Sequence, residues 1–325
     1  MEEDSIRAEF QCNRLGLNHP NPDKFVKSQW PLPRIIYVIW RGFWCVWHLV
    51  WIVISGVHTR ENKTRYPEEG AKWFIYIGNI VFLLTTLTCT LDFVFVLYAT
   101  MRTKGSADES SNDAEISIES SQAGNSKTEE ILFQGEFTVE GDWTNDPEPT
   151  PWHLKLVWAL YNVVNCVNVL TTIMHWAVER QGTADAVEVT VHALNSLFVI
   201  ANLLVTALPV QILHFVYPAI FVVLYFLLNL VYFLADGTDM RGNDVIYKAV
   251  DWNSAFPTTL TIALGILVAV PLGHLLMFSI YTFRLFLYSL STRGSYSTSG
   301  KGKHTTRGDP TVPKPSSSAY VTGVE

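Results

Sequence analysis

The apolar residues of this 325-residue chain lie in six long blocks, and most charged residues lie between them. The blocks cover residues 35–57, 73–100, 154–178, 187–208, 214–235 and 258–288. A helix needs about 20 apolar residues to cross the hydrocarbon core of a bilayer, and each block has that length. Because backbone groups must be paired inside lipid, and no barrel-type alternation occurs, each block is predicted to be helical. The pattern predicts an all-α fold, a polytopic integral membrane protein with a six-transmembrane helix bundle.

The polar segments divide the chain into five regions. Residues 1–34 form a cytosolic N-terminal tail, residues 35–100 hold spans 1 and 2, and residues 154–288 hold spans 3 to 6. Residues 101–153 form an acidic loop that is predicted to be disordered and cytosolic, because Ser, Glu and Asp dominate it. Residues 289–325 form a disordered cytosolic C-terminal tail. The formal net charge of −7 comes from the acidic loop, so nothing resembles a basic nucleic-acid footprint.

The distribution of Lys and Arg predicts the orientation. These residues are more numerous in the two tails and around the acidic loop than in the other connections, so both termini are predicted to be cytosolic. Asn62 begins the sequon Asn62-Lys63-Thr64 in the first outer loop, and it is a candidate glycosylation site. The first 30 residues lack the apolar core of a cleavable signal peptide, so span 1 is expected to act as the insertion signal.

The composition and the motifs limit the class of protein and the kinds of site that the chain can have. Hydrophobic residues make up 49% of the chain and charged residues 16%, which argues against a disordered or highly charged soluble protein. The sequence has no Walker loop and no GxSxG or HExxH motif, and its histidines lack the spacing of paired metal ligands. We therefore expect no cofactor and no metal. The expected partners are the lipid bilayer and other membrane proteins or a lipid ligand, and not nucleic acid.

A set of polar residues interrupts the apolar blocks, and each is costly in lipid unless it has a partner or an aqueous cavity. The set contains Arg41, Asn79, Asp92, Asn165, Asn168, His175, Asn195, Asn202 and His274, together with His192. These residues either converge on a polar cavity for a ligand or catalytic centre, or make interhelical hydrogen bonds worth ~0.6–2 kcal/mol each. Arg41 is expected to extend towards the cytosolic headgroups. Asp92 lies near the cytosolic end of span 2 or pairs with Arg41.

Several short motifs resemble those of the rolling stone family of multi-pass membrane proteins. The motifs are Phe25-Val26-Lys27-Ser28-Gln29-Trp30, Lys72-Trp73-Phe74-Ile75-Tyr76, Val191-His192-Ala193-Leu194-Asn195-Ser196, His214-Phe215-Val216-Tyr217-Pro218, and Gly237-Thr238-Asp239 with Gly242-Asn243. The resemblance covers most of residues 25–290 and fails over the acidic loop and the tails. It implies a plasma-membrane protein with a role in cell–cell fusion or adhesion, of the kind found in myoblast fusion.

The family is distantly similar to the androgen-induced membrane hydrolases, which cleave fatty acid esters with a Thr nucleophile and a His. The resemblance implies that His192 matches the His and that Gly78 stands where the Thr is expected. The sequence therefore favours a non-enzymatic protein, and the alternative is an intramembrane hydrolase that uses His192. A hydroxyl of span 2 within hydrogen-bond reach of His192 would favour the hydrolase. A transporter or channel is the third hypothesis, although no pair of matching broken helices supports it.

Overall fold

A computed structural model describes the backbone of residues 9–62, 67–118, 150–180 and 182–299. It describes the side chains of residues 9–61, 69–103, 150–180 and 182–292. Six helices are long and apolar enough to cross a membrane. They are α1 (Arg34–Glu61), α2 (Ile77–Thr103), α3 (Trp152–Glu179), α4 (Ala186–Val205), α5 (Ile212–Leu234) and α6 (Ala255–Thr292). The prediction of an all-α protein with six spanning helices is confirmed.

Several helix ends differ from the predicted boundaries. The helical backbone of α2 continues to Ile118, inside the predicted acidic loop, and residues 119–149 of that loop lie outside the described residues. Helix α4 ends at Val205 and not at residue 208, because an irregular, buried segment follows it. The last α-helical stretch extends to Ser299, and residues 300–325 of the C-terminal tail lie outside the described part.

The chain divides into two compact units, residues 1–285 and residues 286–325. The described part of the second unit is helical. The core of the first unit contains Trp158 and Tyr161 from α3, Phe198 and Leu203 from α4, and other fully buried residues. In lipid each helix pairs its own backbone groups, and packing of this kind holds the helices together.

Hydrogen bonds between connecting segments show which connections lie at the same end of the bundle. The backbone N–H of His19, before α1, donates to Thr150 Oγ1, after α2, at 2.8 Å. At the other end of the bundle, Lys72 Nζ, after α1, donates to the carbonyl of Asp239, after α5, at 3.1 Å. Each contact joins segments that are an even number of helices apart, as expected when every helix between them crosses the bundle. We call the first end, with residues 9–33, 150–151 and 206–211, the tail end. The second, with residues 69–76, 182–185 and 235–254, is the loop end.

The N-terminal segment folds against the tail end of the bundle. Ser28 Oγ and the N–H of Gln29 both donate to the carbonyl of Val205, at 3.0 and 2.9 Å. Trp30 Nε1 donates to the carbonyl of Leu204 at 2.8 Å. The last carbonyls of any helix lack partners within the helix. The motif of residues 25–30 therefore caps α4, and this gives it a structural role.

Arg284 of α6 caps the same helix end. Its guanidinium is fully buried and donates to the carbonyls of Leu203, Thr206 and Leu208. A cation beside the last carbonyls of a helix interacts favourably with the negative end of the helix dipole. No carboxylate pairs with Arg284 within the described ranges, so these carbonyls compensate its charge.

Candidate functional site

His192 of α4 and His175 of α3 form a stacked pair towards the loop end. Their ring centroids lie 3.8 Å apart and their planes differ by 10°. Both residues belong to wide π turns, His175–Glu179 and Val189–Leu194. Single π turns inside helices are rare and frequently mark functional sites. This pair is therefore a candidate functional site.

Gly78 is the residue of α2 that faces His192. A Cβ on Gly78 would lie 3.8 Å from His192 Nε2, an ordinary contact, and 3.0 Å from Cε1, which is closer than most real Cβ contacts. The glycine lets the imidazole approach the α2 backbone, and it provides no hydroxyl. The position at which the hydrolase resemblance implies a Thr nucleophile therefore contacts the histidine but holds a residue without a side chain.

Threonine and serine hydroxyls of α2, α3 and α4 form hydrogen bonds with backbone carbonyls. Thr172 Oγ1 donates to the carbonyl of His192 at 3.0 Å and lies 2.7 Å from Ser196 Oγ. Ser196 Oγ lies 3.3 Å from the carbonyl of Asn168. The hydroxyls of Thr85, Thr86 and Thr88 donate to carbonyls four residues earlier in α2. Among the described residues, no hydroxyl forms a hydrogen bond with the His192 ring.

A chain of hydrogen bonds links four helices in the middle of the bundle. His48 Nε2 of α1 lies 3.2 Å from Asn195 Oδ1 of α4, and Asn195 Nδ2 donates to Asn168 Oδ1 of α3 at 2.6 Å. Asn168 Nδ2 then donates to Thr85 Oγ1 of α2 at 2.8 Å. All four side chains are buried. The arrangement matches the interhelical hydrogen bonding that is one of the two interpretations of the polar residues.

Arg41 and Asp92 form a buried ion pair near the tail end. Arg41 Nη1 lies 2.9 Å from Asp92 Oδ2, and both side chains are almost fully buried. Arg41 also donates to Asn202 Oδ1, to Tyr37 Oη and to Thr206 Oγ1. The expectation that Arg41 extends towards the headgroups is wrong. A guanidinium has five donors in a rigid fork, and four neighbouring side chains satisfy them inside the bundle.

The remaining predicted polar residues lie apart from these groups. Asn79 Nδ2 donates to the carbonyl of Trp73 at 2.9 Å, at the start of α2. His274 Nε2 lies 2.8 Å from the carbonyl of Gln211, in the irregular segment after α4. Asn165 is buried in α3. The predicted set therefore separates into several local hydrogen-bonded groups along the bundle.

The structure also reveals polar residues that the sequence analysis did not identify. Tyr37 and Thr206 complete the shell of Arg41, and Asn162 Nδ2 lies 3.1 Å from His214 Nδ1. The partners of Thr206 and Asn162 are distant in sequence, so no local pattern reveals these two contacts. Tyr37 lies four residues before Arg41, and this spacing on one helix face was the one available signal.

The family motif around Asp239 builds a rigid turn at the loop end. Asp239 Oδ1 accepts the backbone N–H groups of Arg241 and Asn243 at 2.8 and 2.7 Å, and Asp239 Oδ2 accepts Asn243 Nδ2 at 2.9 Å. Gly242 has a φ of 85°, a left-handed conformation that favours glycine. The turn therefore accounts for the aspartate, the glycine and the asparagine of this motif.

Burial changes the acid–base properties of two groups outside the spanning helices. Burial in the N-terminal segment lowers the pKa of His19 to about 3, with a smaller contribution from the charge of Lys24. Burial raises the pKa of Tyr76 to about 12. Tyr76 Oη accepts the N–H of Met240 at 3.3 Å. Both groups are thus neutral parts of the fold at neutral pH.

Metal binding and glycosylation were the two remaining questions about sites. Across the described side chains, no group of three or more His, Cys, Asp or Glu residues is placed to hold a metal ion. The backbone of Asn62 ends the first helix, but Lys63 and Thr64 of its sequon lie outside the described residues. Glycosylation of Asn62 stays a prediction.

Comparison with known proteins agrees with the motifs. The family model described as "Protein rolling stone" matches residues 144–300. The curated Protein rolling stone of Drosophila melanogaster is 26% identical over 287 residues, which cover 85% of this chain and 89% of that protein. No solved structure matches the chain. The resemblance predicted from the motifs is confirmed: the chain is similar to the rolling stone family, and it has six helices that are long and apolar enough to cross a membrane.

Proposed function

We propose that this protein is a non-enzymatic plasma-membrane protein that acts in contact or fusion between cells. The single observation that carries the non-enzymatic part is the position of Gly78 against His192, where the hydrolase hypothesis requires a nucleophile. The role in fusion or adhesion comes from the rolling stone resemblance. In this proposal the tail end and both termini face the cytosol, as the distribution of Lys and Arg predicts.

The polar residues support this proposal through their arrangement. The side chains from His48 to Thr85 form hydrogen bonds with one another across four helices. Arg41 and Asp92 likewise bind each other. Groups that serve a substrate keep donors or acceptors directed at the reacting atoms. A bundle fixed internally in this way is suited to hold its outer loops in a defined conformation.

Loss of the protein from cells that express it and fuse tests the proposal. We expect fewer fused or adherent cells, and restoration of fusion by both the wild-type chain and His192→Ala. Rescue by His192→Ala is the decisive comparison, because the ring would be needed for hydrolysis and is not needed for contact. Normal fusion and adhesion without the protein would refute the proposed role.

The hydrolase alternative has a direct biochemical test. Purified protein in detergent is incubated with branched fatty acid esters of hydroxy fatty acids, and released fatty acid is measured. We expect no turnover above a protein-free control. Turnover by the wild type that His192→Ala abolishes would establish the hydrolase and overturn the non-enzymatic proposal.

A further inference from the structure

The loop that follows α5 carries an exposed turn on a fixed base. The base is held from several sides: Lys72 Nζ donates to Thr238 Oγ1 at 2.7 Å, and Tyr232 Oη donates to the Thr238 carbonyl at 2.8 Å. Met240 is buried in a cluster with Trp73 and other apolar residues. The carboxylate of Asp239 fixes the turn above this base. The backbone of the turn is therefore ordered before any partner arrives.

The top of the turn consists of residues 241–244, and we call it the tip. All four residues of the tip are exposed. Within the described structure, Arg241 has no side-chain hydrogen bond or ion pair. Asp244 accepts one hydrogen bond, from the exposed Asn253 Nδ2 at 3.2 Å. The tip thus presents one positive and one negative group, three residues apart, on a rigid backbone.

We propose that the tip is a homophilic contact surface, which binds the tip of a second copy of this chain on an apposed membrane. The inference rests on the proposed function, which places the loop end outside the cell. A two-fold axis between two tips brings Arg241 of each copy against Asp244 of the other, so one surface supplies both halves of the contact. A partner with charge of a single sign would meet one attractive and one repulsive group.

A single pair of tips binds weakly, because exposed ion pairs are screened by water and salt. Two physical features compensate for this weakness. The ordered backbone reduces the entropy lost on binding. Apposed membranes hold many copies opposite one another, so weak contacts add up to a strong one. The contact is therefore suited to two membranes and not to free molecules.

Charge reversal in a two-colour cell aggregation assay tests the proposal. Suspended cells that lack the protein are given the full-length wild type, Arg241→Asp or Asp244→Arg, at matched surface levels. Either variant alone replaces two attractions by two repulsions, and we expect aggregation to fall about tenfold. A mixture of Arg241→Asp cells with Asp244→Arg cells restores both attractions, and we expect mixed aggregates at near wild-type levels. Lys248→Asp changes an exposed residue of the same loop by the same charge and is expected to have little effect.

Each outcome of the aggregation assay either supports or refutes the homophilic contact. Recovery in the mixture also shows that both variants are folded, so it supports the proposal directly. Aggregation that is unchanged in either variant, or lost equally in Lys248→Asp, refutes the charge pairing. Equal adhesion of wild-type cells to cells that lack the chain points to a different partner and refutes homophilic contact. The fusion defect of protein-free cells is measured separately, so the proposed function can survive when this inference fails.

Discussion

The two ends of the bundle are held together by different forces. At the tail end, buried cations are bound by several partners: Arg41 by Asp92 and its neighbours, and the two Nη atoms of Arg284 by carbonyls of the α4 end. Towards the loop end, the helices meet in a closely packed contact, the His175–His192 stack against Gly78. Burying a charge is costly unless it is paired and fully hydrogen-bonded, whereas packed rings tolerate small shifts. The tail end is therefore expected to be sensitive to single changes and the loop end more tolerant.

Removal of one charge at the tail end has the largest expected effect. Asp92→Leu leaves Arg41 without its carboxylate in a buried site, and we expect the free energy of unfolding to fall by ~3–5 kcal/mol. Unfolding by SDS titration of the purified protein measures this loss. The double variant Arg41→Met with Asp92→Leu removes both charges and should recover most of the stability. A double variant as unstable as the single one would show that the ion pair is not the cause.

The central chain of hydrogen bonds should give a smaller effect. Asn168→Ala leaves the amide of Asn195 and the hydroxyl of Thr85 without one partner each. We expect a loss of ~1–2 kcal/mol by the same titration, since interhelical hydrogen bonds in membranes are of this size. Ile173→Ala, at an exposed position of the same helix, is the control and should be nearly neutral. Equal losses in the two variants would contradict a specific role for Asn168.

His19 should make the tail end sensitive to acid. Its pKa is lowered to about 3 in the folded protein, while the unfolded chain binds a proton near the ordinary value of 6.5. The unfolded state therefore gains protons first, so stability is full above pH 6.5 and falls as the pH drops towards 3. The loss is at most ~1.4 kcal/mol per pH unit. Thermal unfolding between pH 7.5 and 5 should show a shallower decline in His19→Asn than in the wild type, and parallel curves would refute this assignment.

The loop end should respond least. Gly78→Ala places a Cβ 3.0 Å from His192 Cε1, and the ring can shift to relieve the contact. We expect a loss of about 1 kcal/mol, at the low end for overpacking. In a His192→Ala background the same substitution should cost nothing, because the ring is gone. A loss that persists in that background would come from the helix backbone and would separate Gly78 from the histidine pair.

The sequence predicted the helices well and the polar contacts only in part. The apolar blocks determine six spans directly, because their length and composition match the bilayer core. The residues of the polar groups were also visible, since a charge such as Arg41 stands out in an apolar block. Their partners were not, because Thr206 and Asn202 lie more than 160 residues from Arg41 in the chain. The observed helix ends differ from the predicted ends where tertiary contacts replace helical hydrogen bonds, as after Val205.

The pairing of residues 27–30 with residues 204–207 has a consequence for biogenesis. The segment before α1 is synthesised well before its partner, which follows only after α4. Completion of the bundle therefore waits for a contact of high sequence separation, a kind of closure that slows folding. A chain arrested before its fourth helix would leave this stretch without its acceptor, exposed to the quality-control machinery of the cell.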